Sequence, residues 1–465
     1  MKPAQISKEL KNRSFVLYLN SLLLIIIAPL ILYIFIPVFS GFGFYQINTT
    51  YILNIHMISK YLLLLSFLIP TSILVCSIIC GLDRKLISLI FPALVNFTIY
   101  GLVIFFFITG ILTIIVIFFF FNEILGLRLT FIIIGFFLIA GFFSAIGPIS
   151  KGLKPFLKKD YIPIIGARLN KKDHKKFFDK ILEICKKIKA SPPKNVIVGL
   201  TTEFFAVTNK LKVFNGIDQK IIKGNSIYVS LPFLRTLTIN EFATIIGHEL
   251  GHFVGEDTLY SVKFAPIYRK LNNQFISLEK EKKRNFFDYI GIYPIIFLYN
   301  EFTRKEEKIS KIQEFEADQF GSSAANGKTL TSALAKLYIY DLVWQKTKNN
   351  HREIVRDKLK INIKNLSKDF IKLSRNSLDK SRLTKLLKLM LNYEQEHPND
   401  THPPLKERMK NLKIKESDIT NKDLINFLPS ASSLISNVEV IEENLTFLET
   451  EIEKRSKFHN SSKLN

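Results

Sequence analysis

Residues 238–255 read Thr-Ile-Asn-Glu-Phe-Ala-Thr-Ile-Ile-Gly-His-Glu-Leu-Gly-His-Phe-Val-Gly, and their spacing suits metal chemistry. His248 and His252 are four apart, so on a helix both imidazoles leave one face, about one turn apart, and can reach a single Zn²⁺ at about 2.0–2.1 Å. Glu249 points round the same helix toward the open coordination position, where a carboxylate can take a proton from the attacking water. Gly247 and Gly251 each cost a helix interior about 1 kcal/mol relative to Ala, which implies close packing beside the metal. A catalytic zinc usually has three protein ligands and one water. Three carboxylates stand on a helical-looking stretch from Arg304 to Ala325: Glu314, Glu316 and Asp318. Glu314 and Asp318, four apart, share a face, so one can bind metal while the other accepts the remaining N–H of a ligand histidine. Glu316 points roughly 160–200° away from both and is the weaker candidate. With Arg304, Lys308 and Lys311 nearby, the same carboxylates also fit a solvated acidic face.

The elements that must position these groups are legible around them. Thr238 with Glu241 three residues on has capping-box spacing and opens the helix, Gly255 can end it, and Phe242, Ile245, Ile246, Leu250 and Phe253 are available to pack it. Upstream, 171–190 forms an amphipathic helix closed by Ser191, Pro192 and Pro193. β-type runs follow at Val196–Val198, Phe204–Thr208 and Ile227–Ser230, with turns at Asn215-Gly216 and Gly224-Asn225. From about 329 the pattern is helical, with Leu330, Leu334, Leu337, Tyr340 and Leu342 followed by a Lys/Leu-rich stretch over 352–394, while 416–465 is a helical, polar tail.

The 465 residues are 48% hydrophobic, with a mean hydropathy of +0.19, and the apolar residues crowd into the first 150. This excludes a disordered chain, and three cysteines exclude a disulfide-stapled secreted domain. Four uncharged runs, about 15–40, 61–82, 93–121 (inside the run Leu86–Asn122) and 129–150, are each long enough to cross a bilayer. Lys2, Lys8, Lys11 and Arg13 precede the first, and Lys151, Lys154, Lys158 and Lys159 follow the fourth. Basic flanks are retained on the cytoplasmic side, so both termini of a four-span anchor face the cytoplasm. Almost nothing ionisable lies within the spans, which argues for an anchor over a proton or ion pathway. The domains expected are therefore an anchor over 1–150, a catalytic domain over 151–415 and the tail.

His-Glu-Leu-Gly-His at 248–252 followed by Asp257, Glu-Phe-Glu-Ala-Asp at 314–318 and Thr-His-Pro-Pro-Leu-Lys-Glu-Arg at 401–408 together resemble the M48 family of membrane zinc metallopeptidases. That family includes the HtpX-type heat-shock proteases and the CaaX prenyl proteases. The resemblance covers roughly 155–415. It implies an α/β, mainly α, fold: a gluzincin-type metallopeptidase domain with a short β-sheet and a helical C-terminal extension, behind the four-helix transmembrane anchor. It also implies one zinc per chain on His248, His252 and Glu314, with Glu249 as general base and Asp318 as a supporting or proton-handling residue. By the same resemblance His402 stabilises the oxyanion. Arg408 supports the site and is counted with the substrate-binding residues, and Phe205, Ala206, Val207 and Thr208 form the strand that pairs with extended substrate. One departure stands out: the most apolar piece between the two ligand motifs, Tyr289–Tyr299, has only 11 residues, too few to cross a membrane. The prenylated-peptide substrate is therefore not carried over.

The expected activity is zinc-dependent hydrolysis of extended or unfolded polypeptide at the cytoplasmic face of a cell membrane, in membrane-protein quality control. The competing readings are a catalytically silent membrane scaffold of the same fold, which the complete His248, Glu249, His252 and Glu314 set speaks against, and a CaaX-type prenyl-peptide protease. No nucleic-acid partner is expected. The net charge is +24, but the cations are interleaved with acids and no basic stripe carries stacking aromatics.

Overall fold

The structure, a computed structural model, describes residues 161–208, 210–216, 218–254, 311–356, 363–377, 379–391 and 403–461. Of the first 160 it describes chiefly 29–38, 49–79 and 108–115, with a few isolated positions besides. The chain divides into two compact units, Met1–Lys159 with Lys263–Glu307, and Asp160–Val262 with Lys308–Asn465. The segment between the two expected ligand motifs thus groups with the apolar N-terminal residues, and 416–465 with the second unit.

In the first unit, helix α1 (Thr49–Ile79) runs for 31 residues. It begins well before the expected second span and takes in Lys60. Ser59, Leu62 and Ser66 share one face and are buried, whereas Leu53, Tyr61 and Leu68 are about 60% exposed. Hydroxyls inward and large apolar groups outward is the reverse of a helix on a water-soluble domain. Each buried hydroxyl donates to its own helix, Ser59 to the His56 carbonyl at 2.7 Å and Ser66 to that of Leu63 at 2.6 Å. The Tyr33 ring, from the helical residues 29–38, stacks on His56 at 4.8 Å. Among the described residues no helix is long and apolar enough to cross a membrane; many side chains of the uncharged half of α1, from Tyr61 on, lie outside that set. The expected spans 15–40 and 93–121 are described only in part, and 129–150 lies outside the described residues, as does Tyr289–Tyr299 apart from Phe297.

The second unit is mainly helical, with two small sheets. Strands β2 (Ala167–Arg168), β3 (Asn195–Gly199), β7 (Ser226–Ser230) and β4 (Phe205–Val207) lie in the order β2-β3-β7-β4, with β3 and β7 parallel and both outer strands antiparallel. Every residue of β3 and β7 is buried, as their continuous apolar runs require. A second sheet, β1-β5-β6, joins β1 (Ile162–Ile165), β5 (Leu211–Phe214) and β6 (Gln219–Ile222). Its β5–β6 hairpin turns at Gly216, whose φ of 98° is open chiefly to glycine.

Helix α2 (Lys175–Ile188) buries Phe177, Ile181, Ile184, Cys185 and Ile188 and keeps its lysines outward. Phe177 meets Phe242 of the next long helix at 5.3 Å between ring centroids. After the single turn α3 (Leu231–Leu234) comes α4 (Ile239–Val254), which carries both histidines. Its start is a reciprocal cap. The Thr238 N–H donates to Glu241 Oε2 at 2.8 Å and the Glu241 N–H to Thr238 Oγ1 at 3.2 Å. Glu241 is buried, and its charge is met by the fully buried Lys336, whose ammonium donates to Glu241 Oε2 at 2.7 Å, to the Thr236 carbonyl at 3.2 Å and to the Asn426 carbonyl. Such a buried ion survives only when its hydrogen bonds are made, as here.

Helix α5 (residues 311–324) crosses α4, and α6 (Gly327–Arg356) follows at once. α6 buries Leu330, Leu334, Tyr340 and Trp344, whereas Leu342, expected with the apolar face, is 59% exposed. The remaining helices are α7 (Leu366–Ser377), α8 (Lys380–Leu391), α9 (Leu405–Asn411), α10 (Asn421–Ile425) and α11 (Val438–Ser461). α11 is tied to the core by Glu442, which accepts a two-pronged bond from Arg235 at 2.8 and 2.5 Å and another from Asn365 at 2.9 Å.

Glycines let α4 and α5 approach. A Cβ at Gly247 would lie 2.9 Å from Ala324 Cβ, and one at Gly321 would lie 2.8 Å from the Thr244 carbonyl oxygen and 3.1 Å from His248 Cβ. Gly321→Ala must therefore push the two helices apart where the histidine sits. The expected cost is about 1–3 kcal/mol of overpacking, against roughly 1 kcal/mol of helix propensity gained, so thermal unfolding should show a net loss of stability.

Candidate metal centre

α4 and α5 bring three donor groups to one point. The rings of His248 and His252 stand with centroids 5.1 Å apart and nearly perpendicular, at 88°. Glu314 on α5 places Oε2 3.4 Å from His248 Nε2 and Oε1 3.6 Å from His252 Nε2. All three ligand atoms lie within 4.8 Å of one another. Two ligands on one tetrahedral zinc with bonds of about 2.0–2.1 Å stand roughly 3.3–3.4 Å apart, so the donor set fits such an ion in chemistry and in spacing. His248 and Glu314 are buried while the His252 side chain is 25% exposed, which leaves the site open on the His252 side.

The other faces of these groups are held. His248 Nδ1 lies 3.1 Å from Asp318 Oδ1. Donating there, the ring keeps its Nε2 lone pair for a cation. Asp318 is in turn gripped by Arg408, whose Nε donates to Oδ2 at 2.9 Å and Nη2 to Oδ1 at 2.5 Å. Arg408 Nη2 also stands 3.4 Å from His248 Nδ1 and 3.9 Å from Glu314 Oε2. Burial alone would raise the Asp318 carboxyl, but the Arg408 hydrogen bonds and charge, with His248, outweigh it and hold it below the usual carboxylate range. Burial likewise disfavours the imidazolium of His248, yet the Glu314 charge and the hydrogen bonds to Asp318 and Glu314 outweigh it and push the group up to about 10. These surroundings favour positive charge at Nε2, whether proton or metal cation.

Of the other expected site residues, Glu249 follows His248 on α4 and is 9% exposed. Glu316 is exposed on the far side of α5. Phe205–Val207 form β4, an outer strand of the four-stranded sheet paired antiparallel with β7, in register Phe205↔Tyr228, Ala206↔Ile227 and Val207↔Ser226. Among the described strands nothing pairs with its outer edge. The Phe205 ring lies flat on Tyr228 at 4.9 Å, and half-buried Thr208 follows the strand. His402 lies outside the described residues. Arg408 is only 2% exposed and its guanidinium is taken up by Asp318, which places it behind the histidine. Sequence reasoning passed over Gly321 and Phe320, which receive Gly247 and Gly251 of α4. A lone glycine three residues after Asp318 was the available signal.

Comparison with known proteins agrees with this geometry. Residues 211–416 match the profile of Peptidase family M48, a range that contains all three motifs and begins just after β4. The "Protease HtpX homolog" of Archaeoglobus fulgidus is 26% identical over 167 residues, which cover 34% of this chain and 45% of that protein. The match thus spans less than half of that relative's length. No solved structure matches the chain. Over residues 211–416 the chain is thus similar to peptidase family M48.

Proposed function

We propose that this protein is a membrane-anchored zinc metalloendopeptidase that cleaves extended or unfolded polypeptide. The observation that carries the reading is the convergence of His248, His252 and Glu314 within 4.8 Å, beside a Glu249 that is not one of the three. A zinc ion held there supplies a Lewis acid that lowers the pKa of water and polarises a carbonyl. Glu249 takes the proton of the attacking water and passes it to the leaving amine nitrogen. Asp318, with both oxygens held by Arg408 and one facing His248, is a positioning residue, which leaves the base role to Glu249. The outer edge of β4 offers backbone N–H and C=O groups to a substrate strand, a mode of binding that depends little on side chains. By family resemblance His402 is assigned to the oxyanion of the scissile carbonyl.

Four spans within the first 150 residues are proposed to hold the catalytic domain at the cytoplasmic face of the cell membrane. The reading is supported by the uncharged runs, by the basic flanks and by the outward-facing Leu53, Tyr61 and Leu68 of α1. A domain so placed meets misfolded segments of membrane proteins, hence a role in membrane-protein quality control. Casein cleavage by the detergent-purified protein should stop on chelation and return on adding about one equivalent of zinc. Cleavage unaffected by exhaustive chelation would remove the metal from the reaction.

A further inference from the structure

Apart from the metal centre, the second unit contains a cavity of about 400 Å³ between α6, α7 and the segment that leaves α10. That volume is near the lower end of the range for small-ligand pockets, roughly 300–1,000 Å³. Its apolar wall is made by Tyr340, Ile425, Phe427 and Leu428. Tyr340 and Phe427 are buried, whereas Ile425 and Leu428 are 43% and 70% exposed. The Tyr340 hydroxyl is already used, donating to the Leu424 carbonyl at 3.2 Å, so it contributes a ring and no polar contact.

The polar wall is different. Ser374 is 2% exposed, yet its hydroxyl has no hydrogen-bond partner among the described residues. A buried O–H in that condition is costly unless something else accepts from it. Beside it stands the exposed Arg375, which has no acidic partner within ion-pair distance among the described residues. Asp379 also lines the cavity, but its Oδ1 accepts from the Arg382 N–H at 2.8 Å and its Oδ2 lies 3.9 Å from Arg382 Nε. One hydroxyl donor and one unclaimed guanidinium against an aromatic and aliphatic wall match a group that is acceptor-only, singly charged and attached to an apolar stem.

We propose that this cavity binds an apolar carboxylate, either the C-terminal residue of a hydrophobic peptide or a free medium-chain fatty acid, with the carboxylate on Arg375 and Ser374 and the stem against Phe427 and Leu428. The site is separate from the metal centre but not remote from its scaffold. The Asn426 carbonyl in the same wall accepts from Lys336, which also holds Glu241 at the start of α4.

The test is binding to the full-length, zinc-loaded protein in detergent, carrying Glu249→Gln so that no probe is cut. The readout needs no turnover, so it stands whether or not the chain is a peptidase. One probe is fluorescein-labelled Ala-Leu-Leu with a free carboxylate, compared with its C-terminal amide. The other is octanoate, compared with octanamide, as displacer. At least one acid should bind tenfold or more tightly than its amide, and Arg375→Gln should abolish that preference, with Ser374→Ala weakening it. Whichever acid binds in this way identifies the source. If acids and amides bind alike, or if Arg375→Gln leaves acid binding as it was, the proposal is wrong.

Discussion

Glu249→Gln is expected to lose about 10³-fold in kcat, within the usual range for removing a general base, while binding metal as the parent does. The substitution keeps size and hydrogen-bonding shape but removes the group that holds the proton. Glu249 is not among the three converging ligands, so metal content should not change. The other carboxylate close to the histidines cannot substitute for it. Asp318 is fully buried, with Arg408 on both oxygens and His248 Nδ1 on one. Single-turnover cleavage of casein by parent and variant, with metal content determined in both, is the measurement. Activity within about tenfold of the parent would move the base elsewhere.

The second large effect is on the brace behind the histidine. Arg408→Met keeps most of the side-chain volume but leaves Asp318 and Glu314, 0% and 5% exposed, without their shared cation. Stranding a buried charge in this way costs about 3–5 kcal/mol, and losing the orienting group behind a metal-binding histidine typically weakens metal affinity about 10–100-fold. The variant should therefore unfold at a clearly lower temperature, and zinc competition titrations should show the weaker site. Arg408→Lys keeps the charge without the two-pronged geometry and should fall between. Parent-like unfolding and zinc affinity in Arg408→Met would show that Asp318 needs no partner.

Much of this site was legible in the chain because helical periodicity converts spacing into a shared face. A separation of four positions from His248 to His252, and of four from Glu314 to Asp318, already placed two donors on one helix face and two carboxylates on another. Which carboxylate meets metal and which meets the imidazole N–H depends on how α5 crosses α4, and that is set by the contacts of Gly247, Gly251 and Gly321. A supporting role for Arg408 came from the family resemblance alone, because nothing in the local run Lys-Glu-Arg-Met-Lys shows that tertiary packing buries its middle charge. The fully buried β3 and β7 were recognisable as apolar β-branched runs. β1 escaped notice because Pro163 interrupts it, a residue tolerated there because the strand is an outer one. β5 and β6 escaped because Lys212, Gln219 and Lys220 dilute their alternation, although the turn between them was marked by Asn215-Gly216. Leu342 fitted the apolar face of α6 by composition and lies outside it, since one helix face cannot hold every leucine within a few residues.

The claim on which the rest depends is that His248, His252 and Glu314 together hold one zinc ion. Its most direct test is the zinc content, by elemental mass spectrometry, of the purified protein and of Glu314→Gln after dialysis against a weak chelator. About one zinc per chain is expected in the parent and well under a third of that in the variant, with the fold preserved by circular dichroism. A variant that keeps a full equivalent, or a parent that retains none under conditions where it cleaves casein, would contradict it.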